Sequence, residues 1–310
     1  MESDRPLPLH LQPRPWVESE DFENELESRA SSLTERERAA GQQLHEDGFA
    51  LLRGAVPVEL CDRVRAEVEP LFEEGYALRE GRVPDAWRRG ATSVREAAML
   101  PDIQNLLASL YGRRPIPFQT LNFKWESQHR YHSDAIHFTS VPDRYMCGVW
   151  LALEDVHREN GPLTYYPGSH RVPQFRSFEP GASPDRYADF EAVQRNVMDR
   201  LGVQPVDLEA KKGDALVWAS GLLHGGRPII NEGSTRWSQV THYFFEDCIY
   251  FQPIYSDLMT GAIKLLDIID MNTLEPVPQR YGELTAEAIN LPDGRRRLCP
   301  WPRKSPHLWP

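Results

Sequence analysis

The chain has 310 residues, 40% of them hydrophobic and 26% charged, the balance of a folded globular protein. A formal net charge of −11 excludes nucleic acid and anionic membrane surfaces as main partners, and no apolar run is long enough to span a bilayer. Four cysteines, Cys61, Cys147, Cys248 and Cys299, are scattered without CxxC spacing. They indicate free thiols in a reducing compartment, not a zinc site, and the expected location is cytoplasmic.

The opening "MESDRPLPLHLQPRPW" is rich in proline and charge and lacks the apolar block of a signal peptide. Residues 1–30 are therefore expected to form a loosely held arm ahead of a single domain over 31–310. A helical lead-in covers 31–114. Thr34 is placed to cap a helix through "ERERAAGQQLHEDG", with Glu37 completing a capping box and Gly48 ending it. "FALLRGAV" reads as a short strand. After Pro57, Leu60, Val64, Val68 and Leu71 recur every three or four residues and give a helix one buried stripe, which Gly75 closes. The Arg-rich stretch from Arg79 to Arg95 reads as a solvated face, with contact to an anionic substrate as the sharper alternative.

From Pro115 the pattern changes to short β-prone runs: "PFQTLNFKW", "YMCGVWLALEDV", "GPLTYYPGSH", "GDALVWASGLLHGG" and "RWSQVTHYFF". Many short strands at near-regular spacing predict a mainly β sandwich or jelly roll over 115–250. A helical insertion over 173–205 is too long for a hairpin and is expected to act as a lid. Residues 251–310 are expected to be a C-terminal packing segment, irregular and on the outside from Asp270 on.

"HRYHSDAIHF" carries the first chemical signal. In extended chain, residues i and i+2 share a face, so His132 and Asp134 aim an imidazole and a carboxylate at one point. His224 ends an apolar strand far downstream. Two histidines and one carboxylate in this order are the facial triad of non-haem iron oxygenases, a set that leaves three adjacent coordination positions open. Arg236 and Ser238, a second i, i+2 pair, lie on a later strand. An inward arginine is costly without an anion, and its planar fork suits the far carboxylate of 2-oxoglutarate. His129, His157, His170 and His242 read as structural or surface histidines, and Trp150 and Trp218 as core, with a substrate platform as the alternative.

"HEDGFALLRGAVP", His132-Ser133-Asp134, "ENGPLTYYPGSHR", His224 and Arg236-x-Ser238 occur in order between about His45 and Phe245. In this the chain resembles the phytanoyl-CoA dioxygenase family of Fe(II)/2-oxoglutarate oxygenases. The resemblance implies a double-stranded β-helix (jelly-roll, cupin-like) core with flanking N-terminal helices. It also implies Fe(II), with 2-oxoglutarate and O2 as co-substrates, and oxidation of an unactivated C–H bond of a small molecule by hydroxylation or ring closure. It carries His132, Asp134 and His224 over as iron ligands and Arg236 and Ser238 as carboxylate binders. Gln119, Asn122 or Lys124 would complete the co-substrate site, and Thr164 would touch it. With Asp134 present, the position that related halogenases open for chloride is filled. The segment around the triad looks most like members acting on carbohydrate natural products, orthosomycins among them, with Tyr131, His137, Trp125 and Tyr165 placed to line a substrate cleft.

Two other readings stay open from sequence. One is a cupin-like dioxygenase or isomerase that uses the triad without 2-oxoglutarate. The other is a sugar-binding jelly roll with a structural metal. Arg236 and Ser238 argue against the first, and a coordinatively open triad argues against the second.

Overall fold

The structure is a computed structural model and describes residues 14–77, 81–125, 131–172, 187–256, 262–282, 284–285, 287–290 and 296–299. In chain order, the first half runs α1 (Phe22–Arg29), α2 (Glu35–Asp47), β1 (Phe49–Leu52), α3 (Val58–Glu73), β2 (Arg82–Pro84), α4 (Thr92–Ala98), α5 (Pro101–Tyr111) and β3 (Pro115–Phe123). There follow β4 (Thr139–Val141), β5 (Met146–Ala152), β6 (Leu163–Tyr165), α6 (Tyr187–Leu201), β7 (Val206–Asp207), β8 (Ala215–Ala219), β9 (His224–Gly226), β10 (Ser238–Phe245) and β11 (Ile249–Phe251).

Every run expected to be a strand is one. They form a six-stranded antiparallel sheet ordered β1-β8-β5-β10-β3-β2 and a smaller sheet ordered β7-β6-β9. This is the expected jelly roll with flanking helices. Strand periodicity divides the large sheet between two cores. Cys147, Val149 and Leu151 of β5, with Ala215, Val217 and Ala219 of β8, join the helices in one core. Trp150, Leu216 and Trp218 face Leu163 and Tyr165 of the small sheet in the other. Burial on both faces explains why "CGVWLA" and "ALVWA" read as unbroken apolar runs with no polar alternation.

The lead-in forms as its sequence requires. Thr34 and Glu37 make a reciprocal capping box on α2, and α3 buries Leu60, Val64, Val68 and Leu71. Gly48 ends α2 at φ 82°, the left-handed cap that favours glycine. A Cβ there would also lie 2.4 Å from Nδ1 of His170. His170 is, as expected, structural: it is buried, and its Nε2 lies 3.1 Å from the His45 carbonyl oxygen.

The N-terminal arm requires a correction. Trp16, Val17 and Phe22 are buried, and Trp16 Nε1 donates to the Ser109 carbonyl at 2.9 Å. Three large apolar side chains inside the helical core hold residues 16–29 in place, so a loosely held arm cannot extend to residue 30; residues 1–13 lie outside the described residues. The C-terminal segment is not wholly irregular. Its strands Ala262–Ile263, Glu287–Asn290 and Arg296–Cys299 pair in a small sheet, and Ile263 and Leu265 pack on Ile249 and Phe251. The thiols of Cys61, Cys147 and Cys248 are free and buried. Among the described residues, no helix is long and apolar enough to cross a membrane.

Burial, with Arg171 and Arg144 nearby, pushes the His170 imidazole from 6.5 down to about 3. The unfolded chain takes up this proton near pH 6.5 and the folded chain only near 3. The stability linked to His170 is therefore present above pH 6.5 and is lost as pH falls toward 3. Urea denaturation of His170→Gln should show a flatter fall in stability between pH 6.5 and 4 than the parent protein.

Candidate metal centre

His132 and His224 come together through the main chain. Each donates its N–H to the other's carbonyl at 2.9 Å, an isolated antiparallel bridge at the start of β9. Ser133 is extended (φ −111°, ψ 143°), so His132 and Asp134 share a face as the i, i+2 rule requires. Asp134 then opens a short 3-10 turn to Ile136. Oδ1 of Asp134 lies 3.7 Å from His132 Nε2 and 3.9 Å from His224 Nε2. The three ligand atoms lie within 4.8 Å of one another. Among the described residues this is the one cluster of its kind.

Asp134 is buried, which alone would raise its carboxyl pKa. The imidazoles of His224, His242 and His132 outweigh that and hold it well below the usual carboxylate range. Its Oδ2 accepts a hydrogen bond from Trp218 Nε1 at 2.7 Å. His242 Nε2 approaches the same oxygen at 3.6 Å, and His242 Nδ1 lies 3.0 Å from Gln119 Oε1. His224 Nδ1 points to the Leu222 carbonyl at 3.0 Å, which turns Nε2 inward.

All of this lines one cavity of about 470 Å³ between the sheets. Arg236 lines it too and is only 2% exposed; its Nη2 donates to the Trp125 carbonyl at 3.2 Å. Ser238, two residues on, is fully buried and does not itself line the cavity; among the described residues its hydroxyl has no hydrogen-bond partner. An arginine and an idle hydroxyl inside a β-barrel fit a ligand with a carboxylate. Two imidazoles and a carboxylate within reach of one point fit a divalent iron.

Not every expected site residue reaches the cavity. On β3, Gln119, Leu121 and Phe123 face inward, so Asn122 and Lys124 face the helices. Asn122 Nδ2 donates to Gln239 Oε1 at 3.3 Å, and Lys124 Nζ meets Glu69 at 2.8 Å. Thr164 is buried with its hydroxyl 3.4 Å from that of Tyr131, and neither lines the cavity. Tyr165 packs on Phe49 at 4.2 Å between ring centroids. The Trp125 ring is exposed and packs edge-on against Phe72; only its carbonyl serves the site. Of the four expected substrate contacts, His137 alone lines the cavity, with Nε2 3.1 Å from the Tyr187 hydroxyl. His129 lies outside the described residues.

Among the cavity residues that sequence reasoning did not single out for the site are His242, Arg82 and Trp218. His242 is structurally satisfied by Gln119, yet it also faces Asp134. Its signal was present, because Arg236, Ser238, Val240 and His242 fall on one face at steps of two. Arg82 lines the cavity from the edge strand β2, so the Arg-rich stretch is not simply a solvated face. Trp218 is core, as expected, and a cavity wall as well.

Part of the expected lid is α6, while residues 173–186 lie outside the described residues. Phe190 packs with Ile136 and Ile254, and Gln194 Nε2 reaches Ser133 Oγ at 3.4 Å, directly behind the triad.

The phytanoyl-CoA dioxygenase (PhyH) family model matches residues 44–237, more than half of the chain. Peroxisomal phytanoyl-CoA dioxygenase of Rattus norvegicus is 26% identical over 160 residues, covering 51% of this chain and 44% of that protein. The chain spans less than half the length of the relatives it matches in sequence. Among solved structures, the non-heme alpha ketoglutarate dependent carbocyclase SnoK from nogalamycin biosynthesis superposes with a TM-score of 0.60 at 20% identity, covering 82% of this chain and 96% of that one. The epimerase SnoN, in complex with Fe3+, alpha ketoglutarate and nogalamycin RO, gives 0.55 at 22% identity, over 72% and 88%. The chain belongs to the phytanoyl-CoA dioxygenase family.

Gly148 gives Trp218 its place. The two residues pair across β5 and β8, and a Cβ at 148 would lie 2.3 Å from the indole ring. Gly148→Ala should therefore cost about 1–3 kcal/mol in urea denaturation and shift tryptophan emission as the indole is displaced.

Proposed function

From family membership and the His132–Asp134–His224 cluster, we propose that the chain is an Fe(II)/2-oxoglutarate-dependent oxygenase acting on an unactivated C–H bond of a small molecule. The observation that carries this reading is the presence in one cavity of an open three-donor set and a buried guanidinium. His132 Nε2, Asp134 Oδ1 and His224 Nε2 would hold the iron. Arg236 and Ser238 would hold the far carboxylate of 2-oxoglutarate. When bound, iron and 2-oxoglutarate supply the O2-dependent oxidising chemistry.

The chain's own residues bind, orient and exclude water. Phe123, Phe138, Trp150, Leu163, Val240 and Ile254 give the cavity an apolar wall, which lowers the local dielectric and strengthens the Arg236 contact. Arg82, the His137–Tyr187 pair and Gln252 supply the few polar groups that orient a bound molecule. Helix α6 brings Tyr187 to this wall and serves as part of the lid. A cavity of this size and lining takes a compact, ring-bearing molecule with an apolar face. The structural likeness to SnoK and SnoN, both named for nogalamycin biosynthesis, supports a natural-product substrate, and one bearing sugar rings belongs to that class. The cupin-like alternative without 2-oxoglutarate leaves the buried Ser238 hydroxyl without a ligand.

Anaerobic addition of Fe(II) and then 2-oxoglutarate should produce a visible metal-to-ligand charge-transfer band, and His224→Ala should abolish it. Arg236→Leu should raise the 2-oxoglutarate needed for half-saturation by about 10–100-fold, the loss of a charge-assisted hydrogen bond. A folded protein that binds Fe(II) but gives no band would leave the cupin-like reading standing.

A further inference from the structure

The two oxygens of Asp134 are treated differently by their surroundings. Oδ1 faces His132 and His224. Oδ2 is turned away from them, accepting the Trp218 indole N–H at 2.7 Å and lying 3.6 Å from His242 Nε2. The indole cannot drift from this task. It is 1% exposed, its ring lies 4.7 Å from that of His224, and the bare backbone of Gly148 forms its bed, where a Cβ would come within 2.6 Å of Nε1 itself. His242 is held in turn by Gln119.

We infer that Trp218 is a positioning residue: its indole N–H, seated on Gly148, holds Oδ2 of Asp134 off the metal so that the carboxylate binds through Oδ1 alone. The inference rests on the iron reading above. The consequence is geometric. A carboxylate is short enough to chelate with both oxygens, and a chelating Asp134 would take one of the positions that a bidentate keto acid and O2 need. A hydrogen bond from a charged acceptor's fixed partner is strong enough to set this choice, and partners that orient metal ligands act on affinity or activity by 10–100-fold. A phenylalanine at 218 would keep an aromatic ring in the core without a donor.

The test uses Trp218→Phe, which keeps an aromatic ring on the bed and removes the N–H. The expected result is a metal-free protein of parental fold whose anaerobic Fe(II) form needs at least about tenfold more 2-oxoglutarate to develop the visible band, although Arg236 is untouched. An unchanged titration overturns the inference. A second measurement needs no variant. In the 15N-labelled wild type, the Trp218 indole N–H, assigned through its contacts with Gly148, should be slow to exchange without metal and stay so when Zn(II) is added. Exchange that accelerates on Zn(II) binding would show Oδ2 leaving the indole for the metal, and would overturn the inference even if the variant does not fold. If wild-type protein binds neither Zn(II) nor Fe(II), it is the iron reading that fails, whereas a metal-bound protein with a released indole fails this inference alone.

Discussion

Two main-chain hydrogen bonds between His132 and His224 hold the site together. They join segments far apart in sequence, one entering the barrel before β4 and the other beginning β9. Side-chain attraction could not do this alone. Attraction between one carboxylate and two imidazoles does not fix how the three are spaced or which way their ligand atoms point. Obligatory backbone pairing supplies the convergence instead, and the surrounding sheets make it rigid. The imidazoles are then set at 4.6 Å between ring centroids before any ligand arrives, so little ordering is left for the binding step.

The rest of the architecture serves this bridge. The large sheet turns its outer face to the helical lead-in and its inner face to the small sheet, and the cavity lies between the sheets. β5, β8 and β10 run through its centre, where both faces are buried and no edge is open to solvent. Such central strands tolerate polar groups only when they are paired or functional. The polar residues that β10 and its approach carry inward, Arg236, Ser238 and His242, are the ones that face the cavity or flank it. Outward, Gln239 is paired with the Val94 carbonyl at 3.0 Å. Asp134 illustrates the same economy: a buried carboxylate kept ionised by the imidazoles around it and kept oriented by one indole.

Much of this is legible in the sequence. Strand periodicity and residue type together picked out His132, Asp134, Arg236 and Ser238, since a pair at i, i+2 must share a face whatever the register. What periodicity cannot supply is the phase. It grouped Asn122 with Lys124 but could not tell which side of β3 faces the cavity; pairing with β10 decides that, and Gln119 faces inward while Lys124 meets Glu69 on the helical side. Aromatic residues close to the triad in sequence were equally uninformative. Tyr131, Tyr165 and Trp125 found partners elsewhere, because nearness along the chain says little about which wall a ring joins. Trp16 and Phe22 show the converse. A proline-rich, charged opening hid two core residues, for which composition averaged over a window is blind. Arg82 and Trp218 depend on tertiary placement alone, one on an edge strand and the other on a glycine bed across the sheet.

The central claim is that one ferrous ion sits between His132, Asp134 and His224 with Arg236 facing the far end of its keto-acid partner. Anomalous diffraction at the iron edge, from crystals prepared anaerobically with Fe(II) and 2-oxoglutarate, addresses it most directly. The account predicts a single strong peak within bonding distance of both Nε2 atoms and Asp134 Oδ1, and a carboxylate paired with the Arg236 guanidinium. A peak elsewhere, or iron at the triad with Arg236 engaged only by protein groups, would contradict it.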